Sequence, residues 1–304
     1  MAGGFSVGEI TVEIVHGRPL SRVTSLRVGG PARALARPTC PEGFRRLLAE
    51  AKRHDHRWIV LGGGTNVLFP DAGFDGLVLH TVDLRGRSAE GELVRAAAGE
   101  RLAEIAWWAT RQGLSGLEWA CGIPGTIGGA VAMNAGAHDG DVAGILASVD
   151  LLLPDGTCET MPAATLRLGY RTSALREDPT VGVVLGATFE LLRGTPSVCQ
   201  ARARAGIAER LTRLPLGASA GSVFANPSSG PTAGRLLDAA GCKGMRVGAA
   251  VVSTRHANVI VNEGSDNAGD VIALIDRMKQ RVLAASGIEL REEIVRFDRR
   301  SIHP

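Results

Sequence analysis

Three dense clusters of glycine, at residues 62–64, 122–129 and 217–221, constrain this chain more than any other feature. Glycine opens backbone dihedrals that are closed to other residues and lets the main chain approach a ligand closely. The 40 glycines follow no period, which excludes collagen-like and repeat architectures. Clusters of this kind favour loops that hold a ligand through converging N–H groups over loops that are merely rich in turns.

Between the clusters the chain reads as interleaved helices and strands. Phe44, Leu47, Leu48 and Ala51 share one face of a helix over 42–54, and RWIVL (57–61) is a buried strand running into the first cluster. Residues 75–82 and 92–99 are further strands. Leu102, Ile105, Ala106 and Ala109 mark a helix over 101–112, with Gly113 as its C-terminal stop. The stretch 119–137 reads as loop. A hairpin over 148–160 turns at Pro154-Asp155-Gly156, and 181–192 is a long strand. Character changes near Arg193-Gly194-Thr195-Pro196, where a boundary is placed at 195 before a helical stretch over 197–213. A strand at 257–262, a helix over 266–286 stopped by Gly287, and a last strand at 289–297 complete an α+β chain with no regular βαβ array. At 304 residues, two or three packed units are expected.

Composition removes several function classes. The net charge of +3, with no basic segment interleaved with aromatics, argues against nucleic-acid binding. Five cysteines in no CxxC pair suggest neither a disulfide framework nor a zinc site, and the seven histidines show no metal-ligand spacing. No basic-then-apolar leader opens the chain and no run of ~18 apolar residues occurs. A soluble, cytoplasmic protein without membrane or metal is expected.

The first cluster, Leu61-Gly62-Gly63-Gly64-Thr65-Asn66, lacks the third glycine of the Rossmann GxGxxG fingerprint. A strand delivering LGGGTN still suits a diphosphate, since backbone N–H groups, the Thr65 hydroxyl and the Asn66 amide all donate; a tight turn is the plainer alternative. In the second, Gly122-Ile123-Pro124-Gly125-Thr126-Ile127-Gly128-Gly129-Ala130, small residues leave room for a flat ligand and Pro124 stiffens the turn. LGGGTNVL followed by GIPGTIGGAVAMNAGA resembles the paired FAD-binding segments of vanillyl-alcohol-oxidase-type flavoproteins. Within them it is most similar to the UDP-N-acetylenolpyruvoylglucosamine reductase family. RVGGPA (27–32), LGYRTS (168–173), SAGSVFANP (219–227), AGRLLDAAGCKG (233–244), VSTRHANVIVN (252–262) and LREEIV (290–295) follow in that family's order. The resemblance spans about residues 22 to 297. Tyr170 is the sole tyrosine, which resembles the shorter branch lacking an extra tyrosine-bearing loop.

The resemblance implies FAD-binding subdomains at 1–85 and 86–195 and a C-terminal substrate-binding domain at 196–304. It implies noncovalent FAD, NADPH as hydride donor, a UDP-sugar substrate and a monomer. The reaction implied is reduction of an enolpyruvyl ether to a lactyl ether in peptidoglycan precursor synthesis. Negative charge then builds beside the substrate carboxylate and needs a cation and an acid. By resemblance Ser222 protonates C2, while Arg171 supplies the fork for carboxylate or enolate and Glu293 completes the electrostatics. Tyr170 and Asn226 are substrate-binding candidates.

Each residue also has a plainer role: Arg171 as a surface arginine, Ser222 as a turn serine, Tyr170 as packing. Glu292 rivals Glu293, because in a strand 288, 290, 292 and 294 share one face while Glu293 lies with Val295 and Phe297. Three positions depart from the family: Thr65 stands where it usually has serine, keeping the hydroxyl, Ala225 where it has lysine, which Arg235, Lys243 or Arg246 would have to replace, and His138 where it has tyrosine. Two other functions stay open at this point. One is a sugar or lactone oxidase with flavin linked covalently through His138 or Cys121. The other is a non-catalytic nucleotide-binding homologue.

Overall fold

The computed structural model describes residues 2–7, 10–137 and 140–298. The amphipathic spacings fold as their periods predict. Helix α1 (Pro41–Arg53) buries Phe44, Leu47, Leu48 and Ala51, and helix α2 (Leu102–Arg111) buries Leu102, Ile105, Ala106 and Ala109. Gly113 follows α2 at φ 73°, where a side chain would be strained.

A first sheet runs in the order Ala2–Val7, Ile10–His16, Ala32–Ala36, Phe74–His80, Trp58–Leu61. Its last three strands are parallel, so the chain leaves Leu61 at a sheet end and enters the first glycine cluster there. A second sheet is antiparallel throughout, in the order Cys158–Pro162, Leu146–Leu152, Val183–Glu190, Leu93–Ala97, Arg87–Glu90. The hairpin turning at residues 154–156 and the long strand of 181–192 are both in it. One apolar cluster joins the units, with Phe44 and Leu79 packed in the same core as Ile105, Val149 and Phe189.

The strand expected at 257–262 is confined to Ile260–Asn262 and that expected at 181–192 to Val183–Glu190, and two further stretches differ near the glycine loops. The segment 119–137 is not all loop, because helix α3 (Ile127–Ala132) forms inside it, capped by the Thr126 hydroxyl accepting from the Gly129 N–H at 3.4 Å. Its Gly-Gly-Ala composition carries no amphipathic signal, and burial of Ile127 and Val131 makes it a helix instead. The last strand shrinks from 289–297 to Val295–Arg296, which pairs in parallel with Val67–Leu68. Leu290 and Ile294 both reach the same core, whereas a regular strand of period two would also turn Glu292 inward between them; Glu292 instead pairs with Lys279 and Arg296.

Helix α4 (Ala174–Glu177) is one turn long. Helix α5 (Pro196–Arg213) follows the long strand and buries Ala203 in the core it shares with α2. Beyond it, helix α6 (Ala233–Ala239), a small sheet of Arg246–Val247, Ala250–Val252 and Ile260–Asn262, and helix α7 (Ala268–Ser286) close over a separate core. Leu26, Val28 and Leu68 reach into that core from the first unit. Asp71 ties the two together as well, its carboxylate accepting from the Ala268 and Gly269 N–H groups that open α7.

Candidate active site

The two glycine loops touch. A Cβ on Gly62 would stand 2.4 Å from Thr126 Oγ1, one on Gly63 3.1 Å from the Gly125 Cα, and one on Gly64 2.1 Å from the Val23 carbonyl oxygen. The Thr65 hydroxyl donates to the Pro124 carbonyl at 3.5 Å. Only glycine lets three chain segments meet so closely, and the surface they form offers backbone in place of side chains. A cavity of about 150 Å³ opens between the loops, lined by Val60, Gly62, Gly128, Gly129 and Val183 among others. Leu61, Thr126 and Ala130 are buried beneath this surface, while Pro124 and Gly129 are exposed on it and Gly122 and Ile123 are partly covered. Glycine cradles of this form suit a flat dinucleotide cofactor with its phosphates on backbone N–H groups. Another cavity, about 650 Å³, lies elsewhere, between α1 and the strand Ile10–His16.

Asn66 leads from the cradle to the candidate acid. Its amide donates to the Glu293 carbonyl at 3.2 Å, and the Val295 N–H donates to the Asn66 carbonyl at 2.9 Å. The Glu293 N–H donates to the Val223 carbonyl at 2.8 Å, which sets Glu293 beside the residue following Ser222. Ser222 itself is bridged to Val259 and half-buried. Phe69 and Phe297 stack with centroids 4.6 Å apart and anchor the end of this strand.

Arg171 arrives from the second unit. It stands at the tip of a tight turn in which Gly169 and Thr172 exchange backbone hydrogen bonds, and its φ of 53° is left-handed. Its Nη2 donates to the Gly136 carbonyl at 2.7 Å and its Nη1 to the Asn134 carbonyl at 3.4 Å. Its Nε pairs with Glu293 Oε1 at 2.9 Å, off the line of the N–H, so the contact is an ion pair more than a hydrogen bond. Burial pushes the Glu293 carboxyl above the usual carboxylate range, against the downward pull of Arg171, Arg176 and Arg291. Glu292 turns away to Lys279 and Arg296, at 3.4 and 3.6 Å. Geometry thus separates the two acids that the alternation argument left as rivals.

The structure therefore brings together Arg171, Glu293 and the segment bearing Ser222. Tyr170 is exposed beside them, its ring under the Arg171 guanidinium with 5.5 Å to the centroid and its hydroxyl accepting from the Asn226 N–H at 3.4 Å. The Asn226 side-chain oxygen accepts from the Ala233 N–H at 3.0 Å, so that atom is already engaged at the start of α6. Lys243 and Arg246 are held in ion pairs with Asp238 and Glu263. His138 lies outside the described residues. Burial pushes the Cys121 thiol up to about 12, leaving it a poor nucleophile. Among the described residues no three His, Cys, Asp or Glu gather as a metal site.

Two groups here carried no sequence signal. Asn134, buried and at φ 41°, donates from its amide to the Gly169 carbonyl at 2.8 Å and so holds the turn that presents Arg171. Arg176, which follows the LGYRTS segment, bridges Arg171 and Glu293 through their carbonyls.

Comparison with known proteins gives consistent matches. The family described as "UDP-N-acetylenolpyruvoylglucosamine reductase, C-terminal domain" matches residues 213–297, and that described as "FAD binding domain" matches residues 32–161. A UDP-N-acetylenolpyruvoylglucosamine reductase of Chloroflexus aurantiacus is 40% identical over 94% of this chain and 98% of its own length. One of Moorella thermoacetica is also 40% identical, over 97% and 96%. The crystal structure of a UDP-N-acetylenolpyruvylglucosamine reductase from Thermus caldophilus superposes with a TM-score of 0.81 at 34% identity, covering 94% of this chain and 98% of that one.

Proposed function

The chain belongs to the UDP-N-acetylenolpyruvoylglucosamine reductase family, and from that membership we infer that it reduces UDP-N-acetylglucosamine enolpyruvate to UDP-N-acetylmuramate. It is an NADPH-dependent oxidoreductase of peptidoglycan precursor synthesis that uses FAD. The close contact of Gly62 and Gly63 with the 125–126 segment, where a Cβ would intrude, fits that cofactor. The chemistry FAD supplies when bound is hydride transfer, carrying two electrons from NADPH to C3 of the enolpyruvyl group.

The chain's residues manage the charge and the proton. Arg171 binds the substrate carboxylate, on which negative charge grows as C3 gains hydride; a guanidinium stays cationic throughout. Ser222 gives its hydroxyl proton to C2, a strongly basic carbon at that moment, and regains it from solvent. Glu293, ion-paired to Arg171, holds the guanidinium in register and tunes the proton supply. The observation that carries this assignment is the 2.9 Å Arg171–Glu293 pair one backbone hydrogen bond from the residue after Ser222. Tyr170 and Asn226 line the approach for the UDP-sugar. Thr65, Asn66 and the backbone of 62–64 and 122–130 hold FAD noncovalently.

The division into 1–85, 86–195 and 196–304 is part of the same proposal, with α5 leaning on the middle unit. So is operation as a cytoplasmic monomer without nucleic acid or membrane; no helix among the described residues is long and apolar enough to cross one. Anaerobic mixing tests the whole. NADPH should bleach the flavin and UDP-N-acetylglucosamine enolpyruvate should restore its colour. A flavin that NADPH cannot reduce, or that the substrate cannot reoxidise, would overturn it.

A further inference from the structure

Behind the Arg171–Glu293 pair stands Arg176, half-buried on α4. Its Nη1 donates to the Arg171 carbonyl at 2.5 Å and its Nη2 to the Glu293 carbonyl at 3.0 Å. One planar fork therefore grips two backbones, one from the turn of the second unit and one from the segment leading into the last strand. It forms no ion pair among the described residues. Burial, and then the charge of Arg291, pull its pKa down, with Glu293 acting the other way. A cation is costly in such a place unless its donors are satisfied and its charge has a use.

Both conditions are met by its neighbours. Arg171 sits at φ 53°, a left-handed conformation that a non-glycine residue keeps only where its surroundings enforce it. The Arg176 bond to the Arg171 carbonyl is one such restraint; the Gly136 carbonyl on Nη2 is another. On the other side, Arg176 shares the Glu293 carbonyl with the Asn66 amide, so that oxygen has two donors. A lysine ammonium carries the same charge but lacks the rigid fork, and a glutamine keeps N–H donors without the charge.

We propose that Arg176 is a positioning residue for the reduction, clamping the backbones of Arg171 and Glu293 so that guanidinium and carboxylate meet the substrate in one fixed arrangement. This rests on the roles given to Arg171 and Glu293 above. The charges facing Glu293 are Arg171 from the turn at 169–172, Arg176 from α4 and Arg291 from its own segment. Removing Arg176's charge leaves two, so Glu293 should hold its proton to higher pH.

The test compares Arg176→Lys, Arg176→Gln and Glu293→Gln in the FAD-loaded enzyme, timing reduction by NADPH and reoxidation by substrate separately across pH. Both Arg176 variants should keep FAD and reduce it within about twofold of wild type, while reoxidation slows about 10- to 100-fold, the loss expected from ångström-scale misplacement. Arg176→Gln should also move the pH limb governed by Glu293 upward, and Arg176→Lys should leave that limb in place. Added to Glu293→Gln, the Arg176→Lys change should slow reoxidation far less than it does alone. Wild-type reoxidation in Arg176→Lys, or an equal fall in both half-reactions, overturns the clamp. Should Arg176→Gln fail to fold, the lysine variant decides alone. If Glu293→Gln itself reoxidises at wild-type speed, the site assignment fails instead, whatever Arg176 does.

Discussion

The side-chain amide of Asn66 donates to the carbonyl of Glu293 at 3.2 Å, joining the first glycine loop to the segment that carries the candidate acid. The contact spans most of the chain and is reinforced by the Val295 N–H on the Asn66 carbonyl. Asn66→Ala removes one donor and leaves the Glu293 carbonyl to Arg176. A stability loss of about 1 kcal/mol is expected. Slower reoxidation of flavin by substrate should accompany it, because Glu293 would be held from one side only. Urea unfolding and stopped-flow absorbance check both, and unchanged reoxidation would show that the acid does not depend on the loop.

Ser222→Ala separates the two halves of the reaction. On the role proposed for Ser222 the hydroxyl is needed only when C2 takes its proton, so reduction of FAD by NADPH should keep its wild-type rate. Reoxidation by substrate should fall ~10²–10⁴-fold, the usual loss for one proton donor. If reoxidation is unaffected, the proton comes from another group and the assignment of Ser222 is wrong.

The long helices were legible because their apolar residues recur at helical spacing, as Val271, Leu274, Ile275, Met278 and Val282 do in α7. The cradle was legible because glycine is the one residue type whose placement reports the backbone directly. Helix α3 was not, since Ile127-Gly128-Gly129-Ala130 has poor helix propensity and forms through its Thr126 cap and burial. Nor could the last strand be sized, because its pairing stops after Val295–Arg296 and its remaining residues follow the packing of Leu290 and Ile294. Glu292 and Glu293 are neighbours of identical chemistry, and only the tertiary partners (Lys279 and Arg296 for one, Arg171 for the other) tell them apart. Arg176 is the clearest limit. Its role lies in two carbonyls, and backbone groups have no letter in a sequence.

His80 should make the fold acid-sensitive. It is buried at the end of the strand beside Leu61, and burial, followed by the charge of Arg37, lowers its pKa from the ordinary 6.5 to about 4. A depressed histidine binds fewer protons folded than unfolded, so its stabilisation is present above pH 6.5 and is lost as pH falls toward about 4. The full swing is about 3 kcal/mol. His80→Gln replaces the imidazole with a polar side chain that does not titrate there. Its urea midpoint should therefore decline less than wild type between about pH 7 and about pH 4.5, though His256, also lowered by burial, leaves a residual slope. Parallel declines would mean that His80 is not the group responsible.

Two glycines of nearly equal φ isolate what the cradle requires. Gly64 stands at φ 64° and Gly91 at φ 62°, so alanine at either meets the same left-handed strain, about 1–2 kcal/mol. Their surroundings differ. A Cβ on Gly91 has nothing within 4 Å, whereas one on Gly64 would lie 2.1 Å from the Val23 carbonyl oxygen and 3.0 Å from the Thr24 Cα. Those are backbone atoms that cannot swing aside as a side chain can. The Gly64 carbonyl also accepts from the Ser25 N–H at 2.9 Å, so displacing the loop drags the 23–25 segment with it. Gly91→Ala should cost stability and leave FAD affinity as it was. Gly64→Ala should cost more and weaken FAD binding at least about tenfold, the equivalent of about 1.4 kcal/mol of lost cofactor contact. Fluorescence titration of the apoprotein with FAD, run beside thermal unfolding, measures the two quantities independently. Equal FAD affinity in both variants would mean that residues 62–64 merely turn the chain and that the cofactor rests on other atoms.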